Sequence, residues 1–454
     1  METQGGDEEP LSLRLTIARD SNYEKKRKRK RIDYIDSLNL SSPREENIFG
    51  LLRLREQIFK KNNNIKGYEV KDVKGLHLIQ LLLMSAASVD KNNIDLAFKN
   101  LIDLYGHVSL TGDSVQRMVA HFADGLVARV LTARSPFYDM LMKEPTQEEK
   151  LMAFIHLYRA SPLYQFAHFT SNQAIIEAFE KEEERNNRAL HVIDFDISYG
   201  LQWPSLMQSL AEKATSTNPI SLRITGFGET IEQLKEVEAR LISFAEGFFH
   251  LAFEFQGLLG GSQSELLKLV KHKNETVAIN LMCYLNTTRS FTNVSEILSS
   301  SRSLNPSIVF LVEREGSWSQ RGFLKTFMDS LHYFAAIFDS LEECLPLDNP
   351  QRLDIERNHL GREIKWAMND HYKEEEETWK DSMERKGFEG IELSSRTIMQ
   401  ARLLVKIRSQ CNGPSQLNVE RGGGFRVSER EDGKAISLTW QERCLVTASA
   451  WSCI

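Results

Sequence analysis

The 454-residue sequence has little of several features that mark particular classes of protein. Its five cysteines contain no Cys-x-x-Cys pair, which excludes a disulfide framework or zinc ribbon. We expect reduced thiols, several of them buried. The longest apolar stretch, residues 76–89, is shorter than the roughly 20 residues that span a bilayer. Residues 1–10 are acidic and polar, unlike a secretory signal. These absences predict a soluble intracellular protein without membrane contact.

Catalytic signatures are also missing from the sequence. There is no Gly-x-x-x-x-Gly-Lys-Ser/Thr loop, no His-Glu-x-x-His and no Gly-x-Ser-x-Gly elbow. His156 and His168 come nearest to a histidine pair in the helical part of the chain, but their separation does not match the one-turn spacing of paired metal ligands. We therefore predict core or surface histidines, no metal site and no catalytic residues.

Positive charge is scarce outside one short segment. The chain has 57 basic and 63 acidic side chains, a formal charge of -6. Without the segment, 50 basic and 63 acidic side chains remain, a charge of -13, which disfavours a folded body that wraps a phosphate backbone. The segment is a basic heptamer of Lys25, Lys26, Arg27, Lys28, Arg29, Lys30 and Arg31.

The basic heptamer has three interpretations. Its density and its position in a polar tail favour a nuclear-import signal read by an import receptor. An arm that contacts nucleic-acid phosphates and a solvated charge run are the alternatives. We therefore expect the protein to be in the nucleus.

Apolar periodicity divides the chain into three parts. Residues 1–72 are polar and charged, which predicts a disordered tail. Over residues 73–185, apolar side chains recur every three or four positions, which predicts an all-helical block. The clearest example is 115–130, where the spacing puts the apolar side chains on one stripe. Residues 186–454 follow a different pattern.

Short β-rich runs alternate with helical ones in this third part. The spacing predicts strands at 190–194, 221–225, 250–255, 277–282 and 308–312, with helices near 203–214, 230–246, 263–271 and 291–301. Longer helices follow at about 320–343, 353–371 and 394–408, then strands at 424–428, 435–440 and 444–449 with a turn at Asp432-Gly433. This order predicts an α/β fold: a degenerate methyltransferase-like Rossmann core with an α-helical cap.

The turn after the first strand is where such a core would bind a nucleotide cofactor. The three glycine positions of an Asp-x-Gly-x-Gly-x-Gly turn are Asp196, Ser198 and Gly200, so two glycines are lost and a carboxylate replaces one. Glu229, after the second strand, stands where a ribose-binding acid would be. We interpret the turn as vestigial, without a cofactor. A small-molecule methyltransferase that uses S-adenosylmethionine is the alternative.

Two further motifs have structural interpretations. Asp194 and Asp196 point to opposite faces if the strand continues through 196, so a joint acid–base role is not expected. Asp194 is instead expected to anchor backbone amides at the carboxyl end of the strand. Residues 78–82 form a Leu-x-x-Leu-Leu, which grooves on transcriptional coregulators recognise, but in so apolar a helix we expect core packing.

Several motifs follow one another along the chain: His191, Val192, Ile193 and Asp194 with Gln202, Trp203 and Pro204, then Pro306, Arg362 and Glu363, then Trp379, Gly387, Trp440, Ser449, Ala450 and Trp451. In this order they resemble the motifs of the plant GRAS family of transcription regulators. The resemblance covers about 73–454, and the helical blocks at about 73–185 and 230–265 resemble the two leucine-rich regions of the family. The gibberellin-response signature Asp-Glu-Leu-Leu-Ala is absent, and details are similar to scarecrow-like and nodulation-signalling-like members.

This resemblance implies a nuclear transcription regulator that is not an enzyme. It implies a GRAS domain over 73–454, homo- or heterodimers with other GRAS proteins or regulators, and direct or indirect contact with DNA. The tryptophans of the motifs have a structural interpretation as well. Because tryptophan buries a large apolar area, we expect core or hairpin packing for Trp203, Trp379, Trp440 and Trp451.

Overall fold

The structure is a computed structural model, and it describes residues 50–58, 75–131, 136–260, 269–282, 294–315, 322–369, 379–411 and 424–454. The chain divides into two units, Met1–Arg53 and Leu54–Ile454. Residues 50–53 of the first unit and 54–58 of the second are helical. The basic heptamer and the expected boundary between 72 and 73 lie outside the described residues.

A run of helices fills the amino-terminal part of the second unit, as the apolar spacing predicted. Side-chain caps fix where several of them begin. Asp113 accepts a hydrogen bond from the Gln116 amide, and Thr146 and Glu149 form a capping box. The helices are α1 (Gly75–Asp90), α2 (Ile94–His107), α3 (Ser114–Val130), α4 (Pro136–Leu141), α5 (Gln147–Ala160) and α6 (Pro162–Lys181).

Strands and helices then alternate, and the strands form a parallel sheet in the order β3-β2-β1-β4-β5. The direction of the strand order reverses at β1, which lies between β2 and β4. Most of the helix predicted at 263–271 lies outside the described residues. The elements are β1 (Ala189–Asp194), α7 (Trp203–Ala211), β2 (Ile220–Gly228), α8 (Ile231–Ala245), β3 (Leu251–Leu259), β4 (Thr276–Met282), α9 (Val294–Ser303) and β5 (Ile308–Arg314).

An antiparallel group of strands completes the sheet. β9 lies between β5 and β8, β7 pairs with β8, and β6 also pairs with β9. The elements are α10 (Phe323–Cys344), α11 (Pro350–Ile355), a π-helical turn (Glu356–Leu360), α12 (Gly361–Asn369), α13 (Trp379–Arg385), β6 (Phe388–Ile391), α14 (Ser395–Cys411), β7 (Phe425–Arg430), β8 (Ala435–Trp440) and β9 (Arg443–Cys453).

The structure confirms the α/β fold with its methyltransferase-like strand order. It also confirms one turn, and it corrects two details, an interrupted helix and an additional strand. The predicted turn at Asp432-Gly433 connects β7 and β8, with positive φ at both residues. The helix predicted at 353–371 is interrupted by the π-helical turn. β6 was not predicted, because its four residues are too few to show an alternating pattern.

Helix α3 is buried on nearly every side and not along a single stripe. Residues 116–128 are all buried, including the charged Arg117 and Asp124. The prediction was incomplete because partners from distant parts of the chain satisfy these charges. Arg117 pairs with Glu356, and Asp124 accepts hydrogen bonds from Arg55.

The core contains most of the side chains that were expected to have structural roles. Leu78, Leu81 and Leu82 are buried, which confirms the core interpretation of the Leu-x-x-Leu-Leu motif. Trp203, Trp440 and Trp451 are buried as predicted, and the Trp379 side chain lies outside the described residues. Among the described residues, Cys344, Cys444 and Cys453 are free thiols, as predicted, but they are half-buried and not buried.

Candidate functional site

The carboxyl end of β1 is the position at which a Rossmann-like sheet would bind a cofactor. The strand order reverses at β1, and ligands of such sheets bind in the crevice outside the carboxyl ends of the strands at that reversal. β1 ends at Asp194 and the chain turns immediately after it. The strand therefore ends where the sequence predicted, at Asp194, and the condition that it continue through Asp196 is not met.

Side chains of the protein itself fill the turn after β1. Phe195 and Ile197 are buried, and the Phe195 ring stacks on Phe227 with 5.0 Å between centroids. The Ile197 amide donates to the Phe227 carbonyl at 2.9 Å. Gly226 has no space for a side chain, since a Cβ there would lie 2.9 Å from Ile197. The turn is closed against β2 where a cofactor would need an open cradle.

The three positions of the glycine motif now have distinct structural roles. Asp196 is half-buried, and its carboxylate accepts a hydrogen bond from the Ser198 amide. Ser198 has a φ of 46°. Gly200 has a φ of 68°, its amide donates to the Ile197 carbonyl, and a Cβ would lie 2.9 Å from Val237 on α8. The remaining glycine therefore serves a tight turn and close packing.

Asp194 anchors the start of this turn, as predicted. Its carboxylate accepts hydrogen bonds from the Asp196 amide at 3.2 Å, from Trp203 Nε1 at 3.1 Å and from Asn280 Nδ2 at 3.4 Å. Burial, together with the neighbouring charge of Asp196, raises the pKa of Asp194 to about 7. The donors hold the carboxyl in place and leave it no exposed surface for acid–base chemistry.

A buried polar network extends from Asp194 to the helical block. Asn280 Nδ2 donates to Gln202 Oε1 at 3.1 Å, and Gln202 Nε2 donates to Asn172 Oδ1 at 3.0 Å. Ser171 Oγ donates to Asn280 Oδ1 at 2.9 Å. These side chains join α6 to β4 and to the start of α7. A network in which every member has a partner fixes the helix on the sheet.

Glu229 does not contribute to an acidic ribose site with this turn. Its side chain is exposed, and its backbone amide donates to Gln233 Oε1 at 2.9 Å. Gln233 Nε2 in turn donates to the Ser198 carbonyl at 2.9 Å, so the loop after β2 is tied to the loop after β1. This contact further closes the crevice.

The other end of the parallel strands carries polar contacts of a structural kind. A groove of about 1220 Å³ lies there, lined by Glu182, Ser307 and others, but Glu182 already accepts from Thr276 and Ser307. His191 Nε2 lies 2.9 Å from the Thr225 hydroxyl. Despite burial, the His191 ring 3.5 Å away and hydrogen bonds from Arg223 lower the pKa of Glu275 to about 2. These groups connect β1, β2 and β4 through one ion-paired cluster.

The histidines and carboxylates of the described residues do not assemble a metal site. No group of three or more His, Cys, Asp or Glu side chains in that part of the chain is arranged to hold an ion. His156 Nδ1 lies 2.9 Å from Asp354, and burial lowers the pKa of His168 to about 3. None of the helices described is both long and apolar enough to cross a bilayer.

A model of the GRAS domain family matches residues 78–452. The chain belongs to the GRAS domain family. It is 32% identical over 411 residues to Protein SCARECROW of Arabidopsis thaliana, covering 87% of this chain and 58% of that protein. It is 31% identical over 394 residues to DELLA protein GAIP of Cucurbita maxima, covering 83% of this chain and 62% of that protein.

The GRAS fold is also shared with a solved structure. The crystal structure of SCL7 from Oryza sativa is 28% identical, with a TM-score of 0.64 over 82% of this chain and 99% of that one. The chain spans somewhat more than half the length of the curated relatives named above. The comparisons therefore show the family and the fold of this GRAS domain.

The first GRAS motif coincides with β1 and the start of α7. His191, Val192 and Ile193 are buried in β1, and Asp194 ends the strand. Gln202 and Trp203 are buried and both take part in the polar contacts around Asp194, while Pro204 occupies the first turn of α7. The structure thus brings Trp203 into contact with the Asp194 carboxylate and connects Gln202 to it through Asn280.

Arg362 and Glu363 are adjacent in sequence but contact different groups. Glu363 accepts from Arg314 Nη2 at 2.6 Å and lies 3.3 Å from His359, while Arg362 lies over the Trp366 ring. Burial opposes both charges of the pair. Nevertheless Glu363 raises the pKa of Arg314 and Arg314 lowers that of Glu363. This pair joins the carboxyl end of β5 to α12.

The remaining motif residues pack where the antiparallel strands meet the helices. Trp440 Nε1 donates to Asp339 on α10 at 2.7 Å, and Trp451 Nε1 donates to Ser449 Oγ at 2.9 Å. Pro306 is buried before β5, and Ala450 pairs with Phe310 of that strand. Gly387 has a φ of 80° before β6, and Trp379 is the first residue of α13.

Sequence reasoning missed the polar residues that hold this region together. Ser171, Asn172 and Asn280 are buried, as are Arg117 and Glu356. Asn280 stands between apolar residues in β4, and that pattern could have identified it. Ser171 and Asn172 lie in a polar run of α6, and Arg117 and Glu356 have other polar residues near them in sequence, so no such signal marks these four. A buried polar residue needs a partner, so such positions mark contacts with distant segments.

Proposed function

We propose that this GRAS protein is a nuclear transcription regulator that acts through contacts with other transcription regulators and catalyses no reaction. The observation that carries the proposal is the turn after β1, which Phe195 and Ile197 close against β2. Because the protein's own side chains fill the position of a cofactor, we expect the domain to act through its surface, by binding other molecules. Membership of the family that includes SCARECROW and DELLA proteins supports the same conclusion.

The expected partners are other GRAS proteins, in homo- or heterodimers, and other transcription regulators. Contact with promoter DNA is either direct or made through those partners. The charge of -13 outside the basic heptamer favours indirect contact by the folded body. The heptamer supplies binding to a nuclear import receptor.

Nuclear import tests the role of Lys25–Arg31. The full chain is fused to a reporter too large to diffuse through nuclear pores, and all seven residues are changed to glutamine. We expect nuclear accumulation to be lost. A matched control changes exposed lysines of the folded part, Lys91, Lys99 and Lys235, and should accumulate normally. Unchanged accumulation of the heptamer variant would refute this part of the proposal.

A reporter assay in plant cells tests the regulatory function itself. The full chain is fused to a heterologous DNA-binding domain, and a promoter with matching sites drives the reporter. We expect a change in transcription, of either sign, relative to the DNA-binding domain alone. Equal reporter output in the two cases would contradict a regulatory function.

A methyltransferase is the second candidate, because the strand order of the sheet suits one. Calorimetric titration of the full chain with S-adenosylmethionine tests it. We expect no binding heat at high ligand concentration. Saturable heat that a Glu229→Gln variant reduces would favour the methyltransferase and displace the non-enzymatic proposal.

Direct DNA binding is tested with the full chain and the heptamer variant on the same duplex over a range of salt concentrations. If the basic heptamer is the only DNA contact, binding falls steeply with salt and disappears in the variant. Salt-dependent binding retained by the variant would assign DNA contact to the folded body.

A further inference from the structure

Helix α14 carries an exposed row of apolar side chains. Met399, Leu403 and Ile407 are 67%, 56% and 48% exposed. Residues four apart lie on the same face of a helix, so the three form a continuous stripe about 12 Å long. Single exposed apolar residues are common on proteins, but an aligned row is typical of a surface that a partner covers.

Helix α6 provides the second wall beside this stripe. α14 runs antiparallel to α6. Arg396, at the start of α14, pairs with Glu180 at the end of α6 at 3.2 Å, and Arg408, near the end of α14, donates at 2.8 Å to the carbonyl of Arg159, just before α6 begins. Phe169, 40% exposed, precedes Glu180 by about three turns and lies within about 20° of it around α6. Phe169 and the stripe therefore border one groove, the α6–α14 groove.

The charge of α14 differs from that of the rest of the folded chain. Its sequence contains Arg396, Arg402, Lys406 and Arg408 and no acidic residue, although the chain outside the basic heptamer carries -13. Arg396 and Arg402 pair with Glu180 and Glu429. Across the residues described, no carboxylate forms a salt bridge with Lys406 or Arg408.

Positive charge therefore collects at one end of the α6–α14 groove. Arg159, at the end of α5, is also exposed and lies next to Arg408. Cations near the carboxyl end of a helix stabilise its dipole, which explains their position on α14. The dipole does not explain why an exposed apolar row lies beside them. An anionic partner with an apolar face would satisfy both features.

We propose that the α6–α14 groove binds an acidic amphipathic helix of a partner protein. Such a helix would place three apolar side chains against Leu403, Ile407 and Phe169, with carboxylates toward Lys406 and Arg408. The stripe favours a protein over DNA, because a phosphate backbone offers no apolar surface to an aliphatic row. The proposal rests on the proposed function, since it gives the chemistry of one protein partner of the regulator.

The test measures binding of a synthetic peptide to the full chain by fluorescence anisotropy. The labelled probe is a helix of about 15 residues with leucine at every third or fourth position and glutamate at most others. One control peptide has the same composition with the leucines dispersed, and a second has lysine in place of glutamate. We expect the acidic amphipathic peptide to bind and both controls to bind at least about tenfold more weakly.

Two variants locate the binding site and two control for unrelated changes. Leu403→Ser and Lys406→Glu should each weaken binding by about tenfold or more. Leu76→Ser and Lys99→Glu make the same changes at exposed residues of the helices α1 and α2 and should bind as wild type. Unchanged melting temperatures establish that all four variants fold.

Several results would overturn the proposal. One is wild-type affinity in both Leu403→Ser and Lys406→Glu, and another is equal binding of the lysine peptide. If Leu403→Ser dissociates a dimer of the chain, the occupant is a second copy. If duplex DNA binding depends on Lys406 and is unchanged by Leu403→Ser, the surface binds nucleic-acid phosphates and not a protein helix. Because none of these assays involves import or transcription, their failure is distinguishable from failure of the proposed function.

Discussion

The ion pair between Arg117 on α3 and Glu356 in the π-helical turn predicts a large effect when one charge is removed. Both side chains are fully buried, and Arg117 Nε lies 2.9 Å from Glu356 Oε1. Arg117→Met keeps the length of the side chain and removes its charge. Removing one partner of a buried pair costs about 3–5 kcal/mol, because the other charge is left in the interior. Arg352, 3.8 Å from Glu356, compensates in part, so we expect about 3 kcal/mol.

The same variant should acquire a distinctive pH dependence. Burial raises the pKa of Glu356 to about 6, although Arg117 opposes the rise. Without Arg117 the pKa of Glu356 rises further. A carboxyl whose pKa is higher in the folded than in the unfolded state loses stability as pH increases through that range. The deficit of Arg117→Met should therefore be larger at about pH 8 than at about pH 5.5.

Urea denaturation of the full chain, followed by circular dichroism and tryptophan fluorescence, measures this deficit. The double variant Arg117→Met/Glu356→Gln removes both charges and should recover part of the lost stability, since the Glu356 charge no longer lies opposite an apolar side chain and Arg352 keeps its hydrogen bond to the Leu347 carbonyl. A deficit under about 1 kcal/mol, equal deficits at the two pH values, or additive effects of the two substitutions would refute the reasoning.

Three further expectations can be checked by melting temperature. Gly200→Ala should destabilise the protein by about 1–3 kcal/mol, because Gly200 has a positive φ. Gly106→Ala, at a helical position with open space around it, should stabilise the protein by up to about 1 kcal/mol. The pKa of Asp194 is raised to about 7, so the wild type should lose stability relative to Asp194→Asn as pH rises from about 4 to 7. A stability difference between the two proteins that does not change with pH would contradict this. Leu78→Ala should cost about 2–5 kcal/mol, and a neutral effect would contradict its place in the core.

The parts of the fold that follow from local pattern could be predicted from the sequence. The parallel strands are short, apolar and separated by helices, so their existence and order were visible in runs such as Val277–Met282. The loss of the cofactor turn could be read from Asp196 and Ser198, since glycine is required for close approach of the backbone to a ligand.

The contacts that close the site depend on long-range packing and could not be predicted in this way. Ile197 blocks the space at Gly226, and Gln202 meets Asn280 from a distant part of the chain. Nothing in the local sequence around Arg117 indicates that Glu356 is its partner. The burial of both faces of α3 likewise depends on which helices surround it. Spacing specifies a helix or strand, but it does not specify what lies opposite each polar side chain.

The position of β9 has a consequence for the synthesis of the protein. β9 is made after every other strand described, yet it pairs with β5, β6 and β8 in the interior of the sheet. While the chain emerges from the ribosome, the edge of β5 has no antiparallel partner and can pair with other chains. Premature stop codons before 443 should therefore yield aggregation-prone products, which cellular quality control removes, and such alleles should behave as complete losses.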